Sequence, residues 1–182
     1  MDAVSNQRNT ILVLGLGNDI LGDDALGLVA TRIIRDEFNG EFDTVEMASS
    51  GLDLLEVMEG YERALLLDSV ITRKCPPGTI LELSKEDFSE YCAVSPHYAS
   101  LSDIFELAKR LEVKFPSEIR ILAMEIEYPS TLIEGLSPET QKALPSFLNR
   151  SRAILAGWLG LPAKRHGTEI ASRPFRLSQT AG

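Results

Sequence analysis

Three side chains able to bind a metal fall where an α/β sheet would gather them. Asp24 lies in GLGNDILGDDALG (15–27), just after a run of branched apolar residues. Asp68 comes near the end of RALLLDSV (63–70), behind three leucines. His97 sits in SPHYASL, ahead of an amphipathic stretch, and the only other histidine is His166. Two carboxylates and an imidazole suit Ni²⁺, Zn²⁺ or Mn²⁺. Three protein ligands leave positions open for water or substrate, as at a catalytic metal. Each residue also has a plainer use. One aspartate of the Asp23–Asp24 pair can cap a helix and the other can sit in its first turn, where the dipole favours negative charge. Asp68 can bond backbone amides at a strand end, and His97 can be a loop histidine beside a proline. Their convergence on one sheet edge is what favours the metal reading, because open α/β sheets bind ligands beyond the carboxyl ends of their strands, at a switch in strand order.

The elements that must position these residues are legible from hydrophobic period. TILVLGL (10–16) is apolar throughout, as a strand buried on both faces should be. Over 24–38, Leu26, Val29, Ala30, Ile33 and Ile34 form a helical stripe, and Gly40 ends it. A strand at 43–48 (DTVEMA), Gly51, a short helix over LDLLEVMEGY and the 63–70 strand complete a β-α-β-α-β run, which implies parallel strands. The seven residues TRKCPPG then lead into GTILELS (78–84). A parallel crossover needs about a dozen residues or more, so this strand is expected to run antiparallel. Residues 85–99 read as irregular. A helix with Ser100 and Asp103 in a capping-box relation follows, burying Leu101, Ile104, Phe105, Leu107, Ala108 and Leu111. EIRILAMEI (118–126) is the last strand. Ser137 then caps a helix with Pro138 at its first position, and Pro145 should kink or split it. The expectation is a single doubly wound α/β domain over residues 1–162. It has about five strands, mostly parallel with one antiparallel, and helices on both faces. Leu12, Leu14, Ile33, Leu65, Leu67, Ile121 and Leu122 belong to its core, and 163–182 forms a flexible tail.

Composition narrows the partners. The formal net charge is −9, which opposes nucleic acid and anionic membrane. No stretch approaches the ~20 apolar residues of a membrane span, the first ten residues do not resemble a signal peptide, and the two cysteines form no CxxC pair. A cytoplasmic protein, monomeric, with no nucleic-acid or membrane partner, is expected. The opening turn is not a dinucleotide fingerprint: the sixth place of G-x-G-x-x-G/A is Ile20, whose bulk should block close helix–strand packing. It lacks the G-K-[ST] of a phosphate-binding loop, and Asp23 and Asp24 would repel phosphate. Glu46, at the end of the second strand, could still imitate a ribose-binding acid, so a dinucleotide-binding enzyme stays as a lesser alternative.

Together these residues resemble the nickel–iron hydrogenase maturation endopeptidases. That family opens with a strand and G-[IV]-G-N-x-x-x-x-D-[DE]-x-x-G, matched here at Gly15, Gly17, Asn18, Asp23, Asp24 and Gly27. It has an Asp at the end of strand three, matched by Asp68, and S/T-x-H-x-x-x-L before a helix, matched by His97 and Leu101. Its late L-S/T-P-E-x-x-x-A-L-P is matched by LSPETQKALP (136–145). The likeness spans about residues 10 to 160, in order. Two segments depart from it. EMASSG stands for D-G-G-T/S after strand two, and AMEIEYP keeps Glu125 of G-[IV]-[EQ]-P but has Ile126 for the proline.

The resemblance implies an endopeptidase that removes the C-terminal extension of a hydrogenase large-subunit precursor once nickel has been inserted. Asp24, Asp68 and His97 would meet that nickel, which the substrate carries, so no permanent cofactor is expected. His97 would bind as neutral imidazole, so activity should fall below the ~6.5 of an ordinary histidine. A carboxylate off the metal, Asp23 or Glu125, could act as base. A non-catalytic nickel chaperone of hydrogenase assembly would carry the same three ligands. The turn's glycines are expected to let the backbone approach a ligand closely.

Overall fold

The computed structural model describes residues 9–38, 40–48, 51–84, 101–127 and 135–161. The irregular stretch 85–99, the Ser100 cap, His97 and the tail 163–182 lie outside them.

The chain alternates as its hydrophobic period requires. β1 (Ile11–Leu16) leads through a single 3₁₀ turn (Gly22–Ala25) into α1 (Leu26–Phe38). β2 (Asp43–Met47), α2 (Leu52–Met58), β3 (Arg63–Val70) and β4 (Ile80–Ser84) follow. α3 (Leu101–Arg110), β5 (Glu118–Glu125) and α4 (Pro138–Leu159) complete the order. One five-stranded sheet results, in the order β2-β1-β3-β5-β4. β1 pairs in parallel with β2 and β3, and β3 with β5. β4 is an edge strand antiparallel to β5. The short Pro-rich link after β3 leaves it no other direction.

Strand alternation splits the core into two layers. On one face Leu12, Leu14, Leu66 and Ile121 pack with Leu54 and Met58 of α2 and Ile104 of α3. On the other, Val13, Leu65, Leu67 and Leu122 pack with Leu26, Ala30 and Ile34 of α1 and Phe147, Ile154 and Leu155 of α4. Six of the seven expected core residues are buried; Ile33 is only partly so, at the margin of the second layer.

α4 is capped as its sequence foretells. Ser137 Oγ accepts from the Thr140 amide at 3.3 Å, Pro138 opens the first turn, and Gly160 closes the helix in the left-handed region. It is not split at Pro145: one helix of 22 residues runs through it. Pro145 lies on the exposed side, and the carbonyl it deprives of a donor belongs to exposed Gln141, where water can replace the missing bond. Among the described residues no helix is long and apolar enough to cross a membrane.

The topology sets the site. β1 has β2 on one side and β3 on the other, so the chain leaves its carboxyl end in opposite directions. The crevice between the ends of β1 and β3 is the switch point.

Candidate functional site

Asp68 reaches the switch point on β3, opposite Ala123 of β5. It is fully buried, and its Oδ1 accepts from the Ser69 amide at 2.7 Å. The Ser69 hydroxyl donates to Asp24 Oδ1 at 3.2 Å. Asp24, half-buried in the 3₁₀ turn, is thereby joined to the end of β3. Two of the three residues proposed to meet a metal are thus brought together across 44 positions of sequence. Among the described residues, which exclude His97, no group of three or more His, Cys, Asp and Glu is arranged to hold a metal ion.

The glycines of the turn explain how Asp24 gets there. A Cβ on Gly17, whose φ is +142°, would stand 1.9 Å from the Asp24 carbonyl oxygen, and the Asn18 amide donates to that same oxygen. A Cβ on Gly27 would stand 2.2 Å from the carbonyl oxygens of both Leu16 and Leu67. One on Gly15 would meet Thr31 Oγ1 at 2.4 Å. All three absences of a side chain press the turn and the start of α1 onto β1 and β3. This corrects the expectation that the glycines serve the approach of a ligand: chain approaches chain. Ile20 is also reassigned. Its side chain is 57% exposed, and Gly27 makes the close helix–strand contact.

Asp23 does something else. Its two oxygens accept from the Ser137 amide at 2.6 Å and from the Ser137 hydroxyl at 2.8 Å. With both oxygens engaged by Ser137, it does not cap the helix that follows it. It ties that turn to the start of α4.

Glu125 is likewise engaged. It is buried, and its carboxylate accepts from Thr72 Oγ1 at 2.5 Å, the Arg73 amide at 2.7 Å and Cys75 Sγ at 3.4 Å. Arg73 lies in the left-handed region at φ 59°, so the carboxylate secures a strained turn between β3 and β4. Burial first, then the charge of Glu125, pushes the Cys75 thiol above its ordinary value. The thiol stays protonated and donates, the opposite of an activated nucleophile. A cleft of about 370 Å³ opens beside this loop, with Ile71, Arg73, Cys75 and Glu127 among its lining.

Glu46 is paired rather than available to a ribose. Arg32 Nε donates to it at 2.8 Å and Arg35 at 3.2 Å, while Arg32 also grips Asp19 with two bonds. Arg32 holds the Asp19 carboxyl below its usual range. Sequence reasoning missed Ser69 and Thr72, and it gave Ser137 its capping role but not its bonds to Asp23. All three are small hydroxyl residues outside any motif of charged groups, and only the sheet register and the packing of the turn reveal their partners.

Comparison with known proteins identifies the fold and the family. A profile of the hydrogenase maturation proteases matches residues 30–153. The hydrogenase 2 maturation protease of Escherichia coli (strain K12) is 26% identical over 149 residues, covering 80% of this chain and 90% of that one. The fold is shared with the solved hydrogenase maturating endopeptidase HybD from E. coli at a TM-score of 0.71, with 24% identity over 81% of this chain and 93% of that chain. It is shared too with the [NiFe] hydrogenase maturation protease HybD from Thermococcus kodakarensis at 0.64, with 23% identity over 79% and 97%. On the match of the profile over most of its length, the chain belongs to the hydrogenase maturation protease family and is an enzyme of the hydrolase class.

Proposed function

We propose that this protease removes the C-terminal extension of a nickel–iron hydrogenase large-subunit precursor after nickel insertion, and that it recognises its substrate through the nickel. Asp24, Asp68 and His97 would bind that metal, with the neutral imidazole of His97 completing two oxygen donors. The observation that carries the reading is the joining of Asp24 and Asp68 at the switch point through Ser69. The nickel belongs to the substrate, and the enzyme needs no cofactor of its own. On this reading the reaction is cytoplasmic and the enzyme acts as a monomer.

The physical case is one of positioning. Two carboxylates by themselves grip a flexible peptide weakly. A nickel already fixed to the precursor adds coordinate bonds to the enzyme, and so sets the scissile bond at one distance from the site. Asp23 and Glu125, both engaged in bonds that hold loops, serve as positioning groups in this proposal rather than as the base.

The test is to follow the precursor's mass with and without nickel. One cut near the C-terminus of the nickel-loaded form, with little cleavage of the nickel-free form, is the expected result. Equal cleavage of both forms, or full activity in His97→Ala, would sink metal recognition. Tight binding of bare Ni²⁺ with no cut would make the protein a chaperone instead.

A further inference from the structure

The residue joining the two carboxylates has no role assigned by any motif. Ser69 is 4% exposed. Along β3, Leu66 and Val70 face the α2 and α3 layer, whereas Leu65 and Leu67 face α1 and α4. Alternation therefore puts the Asp68 side chain on the first face and the Ser69 side chain on the second. The hydroxyl of Ser69 reaches Asp24, which arrives from the α1 side, while its amide reaches Asp68 on the other. One residue thus contacts carboxylates that approach the sheet edge from opposite faces. An alanine here would keep the amide bond and lose the hydroxyl bond. Among the described residues no other hydrogen bond to the Asp24 carboxylate is present.

We propose that Ser69 is a positioning residue that sets the orientation of the Asp24 carboxylate relative to Asp68 before the substrate metal arrives. The inference rests on the reading of Asp24 and Asp68 as metal-meeting groups. By holding one oxygen, Oδ1, the hydroxyl fixes the rotation of the carboxylate and turns Oδ2 to the incoming ion. A ligand oriented in advance loses less freedom on binding. Its removal weakens binding more than it slows the cut, because the bond is present before and after the transition state alike.

The experiment measures processing of nickel-loaded precursor by wild type, Ser69→Ala, Ser69→Thr and Ser69→Val. Threonine and valine have the same shape and differ in the hydroxyl, so the pair separates hydrogen bonding from packing. We expect Ser69→Ala and Ser69→Val to raise KM about tenfold, the scale of losing a residue that orients a metal ligand. Their kcat should stay within about twofold of wild type, and Ser69→Thr should keep most of the affinity. A wild-type KM in Ser69→Ala, or equal impairment of the threonine and valine variants, overturns the proposal. An Asp24→Asn control tells the two failures apart. Normal processing by it would remove the ligand assignment on which Ser69 depends, whereas loss in Asp24→Asn beside an unaffected Ser69→Ala would remove the role of Ser69 alone.

Discussion

Asp23 and Asp24 are chain neighbours with different duties. Asp23 spends both oxygens on Ser137, and Asp24 faces the end of β3. Asp24→Asn should cut processing by at least about a hundredfold, as loss of a group that positions the reacting bond does. Asp23→Ala should keep measurable processing but lower stability by about 1–2 kcal/mol, the scale of a half-buried charged hydrogen bond. Processing rates and urea midpoints of the two variants check this, and normal processing by Asp24→Asn would refute it. Glu125 supplies a second test. Glu125→Gln should keep cleavage within about tenfold, where removal of a general base would cost 10²–10⁴-fold. Burial is the larger cause of the raised Cys75 thiol and stays, but the same change withdraws the Glu125 charge that adds to it, so the thiol should shift down. More thiolate is then present at a given pH near 8, and Cys75 should be alkylated faster than in wild type. Peptide-resolved mass spectrometry separates it from Cys92. Asp24 and Asp68 were legible in the sequence because acidic residues at the ends of apolar strands point to the sheet edge. The bond from Asp23 spans 114 residues, so no local pattern could have announced it.

At the scale of elements, the strands and helices were legible nearly throughout, since each has a clean period of two or of 3.6 and recognisable punctuation. The antiparallel edge strand followed from the length of one link. Of the two outcomes expected at Pro145, a kink or a split, the split does not occur, because the carbonyl left without a donor belongs to exposed Gln141. Pro145→Ala should therefore restore a helical bond and raise stability by about 1–3 kcal/mol. An unchanged or lower thermal midpoint would contradict that. The opposite holds at Gly17, where an added Cβ would meet the Asp24 carbonyl in a backbone conformation that side chains rarely adopt. Gly17→Ala should lower stability by about 1–3 kcal/mol or more and reduce processing further than stability explains, because Asp24 must move. A stable, fully active Gly17→Ala would show that the turn tolerates displacement.

Over the whole molecule, helices cover both faces of the sheet. Among the described residues the large exposed apolar side chains are Ile20, Leu52, Leu111 and Leu161, in four separate segments. A net charge of −9 adds repulsion between copies. The proposed monomer is tested by sedimentation equilibrium, which should find a single species of 20.0 kDa; a stable dimer at micromolar concentration would refute it. The division of labour in the opening turn also bears on descent. Gly15, Gly17 and Gly27 maintain the architecture, and the Asp24 backbone shares in it, whereas among the described residues the Asp24 carboxylate is held only by the Ser69 hydroxyl. On the proposed role of Asp24, a lineage that exchanged its carboxylate for an amide would keep its fold and most of its recognisable signature while losing its chemistry. Silent pseudoenzymes are thus one substitution away, and membership judged on the glycines would count them as active.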